Sequence, residues 1–239
     1  METVKKLAVV FLLIFSVAGC KKDKRDFLFP IKPHDFLSAA KYEKLTLDIV
    51  YVEGYQPIEQ SVANLEDFLG KRLNKPGGIN VVYKSIPATG KSYFTIDDLR
   101  DIEKKNRSDY SKHNTLVTFI FFGDAPYSDS NVLGIAYGNS SMGIFEKTIN
   151  NYSGGIAQPS RTVLETIVEE HEFGHLMGLV DNGTDMVTNH VANGKHCNNQ
   201  DCLMYYATET TDLTANITGG NIPELDANCI ADLRKNGGK

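Results

Sequence analysis

The stretch His171-Glu172-Phe173-Gly174-His175-Leu176-Met177-Gly178 sets two histidines four residues apart with a glutamate beside the first. On a helix, residues four apart lie one above the other, so both imidazoles face the same way while Glu172 is turned about 100° from His171. Two neutral imidazoles so placed bind a zinc ion, and an adjacent carboxylate takes the proton of a water that the metal acidifies. The pattern points to hydrolysis. A helix is expected from about residue 160 to 177, because Pro159 and Ser160 form a start signal and Leu164, Val168, His171 and His175 make an apolar stripe at helical spacing. Gly178 falls where a helix end accommodates a left-handed residue.

Working outward from this helix, alternating or apolar runs at 45–52, 79–86, 115–122, 131–137 and 142–148 read as strands. Residues 58–73 carry apolar side chains at 58, 62, 65, 69 and 73 and read as a helix, 97–105 as a weaker one, and 223–235 as the last. A strand, a helix and a strand in succession imply a right-handed crossover between parallel strands, with 115–122, the most apolar run, in the middle of the sheet. Residues 179–222 are rich in Asn, Thr and Gly and show no period. The expectation is one domain over 44–239, with an N-terminal subdomain 44–178 and a small irregular C-terminal subdomain 179–239 ending in a helix. Pro30 and Pro33 mark residues 21–43 as a tether. Nothing around His34 has ligand spacing.

The extended motif H-E-x-x-H-x-x-G, followed by Cys202-Leu203-Met204-Tyr205-Tyr206, resembles the metzincin clan of zinc endopeptidases. That resemblance implies an α+β fold with a twisted, mixed and mostly parallel sheet, one zinc ion per chain, protein or peptide substrates, and Glu172 as general base. It also implies that Met204 is the Met-turn residue beneath the histidines and that Tyr206 helps stabilise the oxyanion. Two positions compete for third zinc ligand. Asp181, ten residues after His171, matches the snapalysin-type pattern; His196, in His196-Cys197-x-x-x-x-Cys202-x-Met204, matches the archaemetzincin run, and imidazole is the commoner donor. His196 is preferred, with Asp181 as the alternative and His190 as a third candidate. Archaemetzincins bind a second zinc with the help of a further C-x-x-C pair; this chain offers only Cys229, so no four-cysteine site is expected. In metzincins the last strand before the active helix edges the cleft and pairs antiparallel with the substrate, which assigns that role to 142–148.

At the N-terminus, Lys5 and Lys6 precede an apolar run from 7 to 18 that ends in Val17-Ala18-Gly19-Cys20. This reads as a secretory signal over 1–19 whose end resembles a bacterial lipobox, with Cys20 lipidated; the run is too short to span about 30 Å of hydrocarbon. The expected location is the bacterial cell envelope, lipid-anchored and facing the periplasm or the cell surface. In such an oxidising compartment Cys197 and Cys202 form a candidate disulfide, and Cys202 with Cys229 is the other pairing. A formal net charge of −5 provides no basic footprint for nucleic acid. The leading expectation is thus a zinc endopeptidase. An adhesion or binding lipoprotein with a structural or vestigial zinc site is the alternative, and an amidase acting on cell-wall peptides shares the same metal chemistry.

Overall fold

The computed structural model describes residues 30–211 and 220–239. The expected leader and Cys20, the expected lipidation site, lie outside the described residues. Among the described residues no helix is long and apolar enough to cross a membrane.

In chain order the elements are α1 (Pro33–Leu37), β1 (Lys44–Val52), α2 (Glu59–Arg72), β2 (Ile79–Ile86), α3 (Ile96–Asn106), β3 (Thr115–Phe122), β4 (Gly134–Tyr137) and β5 (Ser141–Ile144). Then follow α4 (Glu146–Asn151), α5 (Arg161–Leu176), the short strands β6 (Val191–Ala192) and β7 (His196–Cys197), a 3₁₀ turn (Tyr206–Glu209) and α6 (Ala227–Lys235). Five strands form one sheet in the order β2-β1-β3-β5-β4, parallel except for β4. Alternation along β3 divides its side chains between two faces: Leu116, Ile120 and Phe122 join the larger core, Phe119 and Phe121 the smaller. The larger core holds Val62, Leu65 and Leu69 of α2 with Leu164, Ile167 and Val168 of α5; the smaller is closed by Leu99 of α3. Helices thus cover both faces of the parallel strands, and β3 is apolar on both sides for that reason. The chain is α+β, as the family resemblance implies.

Two expectations are corrected here. Residues 142–148 are not one strand and do not edge the sheet: β5 ends at Ile144, Glu146–Asn151 is helical, and β5 lies between β3 and β4. The strand at that edge is β4, opposite the β2 edge, and it pairs antiparallel with β5 across a turn containing Gly138 at φ 59°. A hairpin read from sequence does not reveal which of its two strands joins the sheet. The second correction concerns the tether. Pro33 occupies the first turn of α1, where proline's missing N–H costs nothing, and the Asp35 carboxylate accepts the Lys32 backbone N–H at 3.0 Å. Phe36 is fully buried, its ring edge-on to Phe173 of α5 at 5.5 Å. Lys75 completes the attachment by donating to the carbonyls of Asp35, Ser38 and Tyr42, each at 2.7 Å. Burial pulls its ammonium down to about 8.

The N-terminus of α2 is capped from another helix. Ile58 has no side-chain cap of its own, and its N–H donates to Glu165 Oε1 of α5 at 2.6 Å. Ser61 Oγ donates to the same carboxylate. Around this junction Glu146, Glu165 and Glu169 are buried with one cation, Arg161, whose Nε lies 2.7 Å from Glu146. Burial, then the neighbouring Glu165, pushes the Glu146 carboxyl up to about 9. The folded state therefore keeps a proton that the unfolded chain releases near 4.5, so this group's contribution to stability falls as pH rises from about 4.5 to about 9. Glu146→Gln, which cannot ionise, is expected to raise the melting temperature relative to wild type at pH 8.5 and to leave it nearly unchanged at pH 5; a difference independent of pH would contradict the assignment.

Candidate metal centre

Helix α5 starts at Ser160, whose Oγ accepts the Val163 N–H at 3.2 Å, and from Leu164 to Leu176 every residue is buried. Histidines 171 and 175 and Glu172 are thus carried in the interior, where an ionisable side chain needs a partner. The helix closes at Gly178, which has φ 82° and lies so near Pro33 of α1 that a Cβ there would meet the ring at 2.6 Å. Val180 and Asp181 follow at φ 54° and 62°, an uncommon left-handed pair that leaves Asp181 exposed. Asn182 then donates to the carbonyl of His175 at 3.0 Å. The expected alternative ligand Asp181 is not part of the histidine cluster.

His196 does reach it. The strands β6 and β7 pair with Ala192 opposite His196, and Asn193 and Gly194, at φ 50° and 81°, make the turn between them. His196 Nδ1 donates back to the Asn193 carbonyl at 3.0 Å. Its ring stacks on that of His171 at 5.4 Å and stands edge-on to that of His175 at 5.3 Å. One nitrogen from each of the three imidazoles lies within 4.8 Å of the others. His171 Nδ1 is 2.7 Å from the Leu203 carbonyl, so Nδ1 carries the hydrogen and Nε2 the lone pair. That Nε2 faces His175 Nε2 at 3.1 Å. Two nitrogens bound to a tetrahedral zinc at about 2.0–2.1 Å would be roughly 3.3 Å apart. The residues present therefore fit a zinc ion.

Glu172 is fully buried next to the cluster. Its side chain passes under the edge strand: a Cβ on Gly134 of β4 would lie 2.8 Å from Glu172 Cγ and 3.0 Å from Oε1. Glycine at this strand position makes room for the carboxylate. Met204 packs its sulfur against Gly174 between the two helical histidines, so closely that no Cβ fits there. Tyr206 opens the 3₁₀ turn, its ring 4.6 Å from that of Tyr205. Thr208, which the sequence reading passes over, lies in the same turn with its hydroxyl 2.7 Å from His171 Nδ1.

A second group forms behind the first. His190, Cys197, Asp226 and Cys229 bring one donor atom each within 4.8 Å of the others. All three described cysteines are free thiols, and Cys202 Sγ is 3.7 Å from Cys229 Sγ. The hydrogen bond with Cys229 pulls the Cys202 thiol down to about 7, while burial pushes Cys197 up to about 12. His190, a candidate for the first cluster on sequence grounds, belongs to this one; its Nε2 lies 3.1 Å from Asp232 Oδ2, and its Nδ1 is buried without a hydrogen-bond partner. Only Cys229 was expected to complement the pair at 197 and 202. Asp226, three residues before Cys229, and the distant His190 supply the donors that a search for cysteines alone overlooks.

The fold is similar to that of the crystal structure of archaemetzincin from Methanopyrus kandleri, with a TM-score of 0.54 over 81% of this chain and 96% of that chain at 15% identity. The crystal structure of metalloproteinase-II from Bacteroides fragilis aligns with 84% of this chain and 54% of that one, with a TM-score of 0.46 and 16% identity. No family model and no curated protein matches the sequence. At this identity the likeness to archaemetzincin is one of fold, and the fold is metzincin-like.

Gly174 is the position where this packing is tightest. Gly174→Ala would raise helix propensity, yet its methyl collides with the Met204 sulfur; overpacking of this kind costs about 1–3 kcal/mol. A lowered melting temperature and weaker zinc retention on dialysis are expected, whereas a stabilised variant with unchanged zinc content would refute the contact.

Proposed function

We propose that the protein is a zinc-dependent endopeptidase. The observation that carries this reading is the convergence of three imidazoles, from His171, His175 and His196, beside the buried carboxylate of Glu172. His171, His175 and His196 would hold a zinc ion, which would supply Lewis acidity and acidify a water. Glu172 would take the proton of an attacking water and pass a proton to the amine leaving the peptide carbonyl carbon. Tyr206 donates to the oxyanion. The side of β4 away from β5 would supply backbone partners to an extended peptide, an affinity that tolerates many sequences. Gly134 lets Glu172 lie close against one face of that strand.

The thiol-bearing cluster belongs to the same reading as a second, structural zinc position. Thiolate and imidazole are soft enough for zinc, and Asp232 behind His190 orients the ring as carboxylates do behind zinc-bound histidines. The site would tie β7, which carries His196, to α6, which carries Cys229. The one zinc expected from sequence then becomes two, of which the histidine site alone is catalytic.

The sequence alone supports the remaining parts: removal of residues 1–19, lipidation of Cys20, attachment to the bacterial envelope on its periplasmic or outer side, and a single domain with subdomains 44–178 and 179–239. Glu172→Gln in the soluble domain tests the mechanism. Zinc content and melting temperature should be retained while cleavage of casein or a peptide library falls at least about 100-fold; undiminished cleavage would sink the assignment of the base. Wild-type activity should vanish with chelator and return with zinc.

A further inference from the structure

We infer that Thr208 is a positioning residue that fixes the tautomer and orientation of His171, an inference that rests on the zinc reading of the histidine cluster. Thr208 is 3% exposed, and its Oγ1 lies 2.7 Å from His171 Nδ1 and 2.7 Å from the Leu203 carbonyl. Its hydroxyl hydrogen has backbone acceptors in Leu203 O and Tyr205 O. With that hydrogen donated to backbone, the Thr208 oxygen is an acceptor toward the ring. The Nδ1 hydrogen of His171 is consequently shared between two acceptors, Leu203 O and Thr208 Oγ1, each 2.7 Å away.

A neutral imidazole otherwise divides its hydrogen between two nitrogens, and only the form with hydrogen on Nδ1 presents a lone pair at Nε2. Two acceptors on Nδ1 select that form, hold the ring plane and raise the basicity of Nε2. The 3₁₀ turn makes this possible. The Thr208 N–H bonds to the Tyr205 carbonyl at 3.0 Å, which winds the chain tightly after Met204 and returns a side chain to α5 only five residues beyond Leu203. The turn that follows Met204 thereby also supplies the group behind the first histidine of the cluster.

Thr208→Val preserves shape and removes the hydroxyl; Thr208→Ser preserves the hydroxyl. In the soluble domain, chelator competition is expected to give about 10-fold weaker zinc binding at the histidine site for Thr208→Val and near wild-type binding for Thr208→Ser. With cobalt in place of zinc, the d–d bands of the histidine site should shift in Thr208→Val while thiolate-to-cobalt bands stay put, and the melting temperature of the metal-free protein should change little. Thr208→Ala serves if the valine variant does not fold. Equal zinc affinity and cobalt spectra in wild type, Val and Ser variants, or a loss of stability without a loss of affinity, would overturn the positioning role and leave the peptidase reading standing. Failure of wild type to bind zinc at the histidines would end both.

Discussion

His171 Nε2 and His175 Nε2 face one another at 3.1 Å inside the protein, and the rest of the site is arranged around that approach. The Nδ1 hydrogen of His171 is committed to Leu203, so Nε2 presents a lone pair. His175 Nε2 at this distance either donates a hydrogen to that lone pair or shares a cation with it. A third imidazole, from His196, turns the pair into a concave donor set that a bridging proton alone does not need. The sheet, the Met204 turn and the β6–β7 hairpin approach α5 from different directions and keep the three rings from separating.

The same constraint accounts for residues that look unfavourable one at a time. Gly174 and Gly134 forgo side chains where Met204 and Glu172 require the space. Asp232, nearly fully buried, meets the backbone N–H of Val187 as well as His190, so a carboxylate that is costly to bury has acceptable partners. The packing of α1 under the Gly178 turn adds a further support, joining the start of the described chain to the end of the helix that carries the histidines.

Much of this was legible in the sequence where the determinants are local. Helix α5, its serine cap and its glycine end are written in spacing and in single residues, β1 in an alternating run and β3 in a mostly apolar one. The order of β4 and β5 was not legible, because a hairpin pattern does not state which strand reaches β3. Pro33 was misleading in its context: proline is a breaker inside a helix and an initiator in its first turn. His196 was found through a family resemblance, although Asn193-Gly194 carries an independent hairpin signal for the turn that delivers it. Thr208 has no local signal at all, and nothing local assigns His190 to the cysteine cluster rather than the histidine one, since each acts on a group far along the chain. Asp181 stood at a plausible spacing, and only the left-handed backbone at Val180 and Asp181 turns it to solvent.

The central claim is that His171, His175 and His196 together hold one zinc ion. A crystal of the zinc-loaded domain, with data collected on either side of the zinc absorption edge, measures this directly. The account expects an anomalous peak about 2.0–2.1 Å from a nitrogen of each of the three rings. A peak that takes Asp181 in place of His196, or no peak at the histidines, would contradict it.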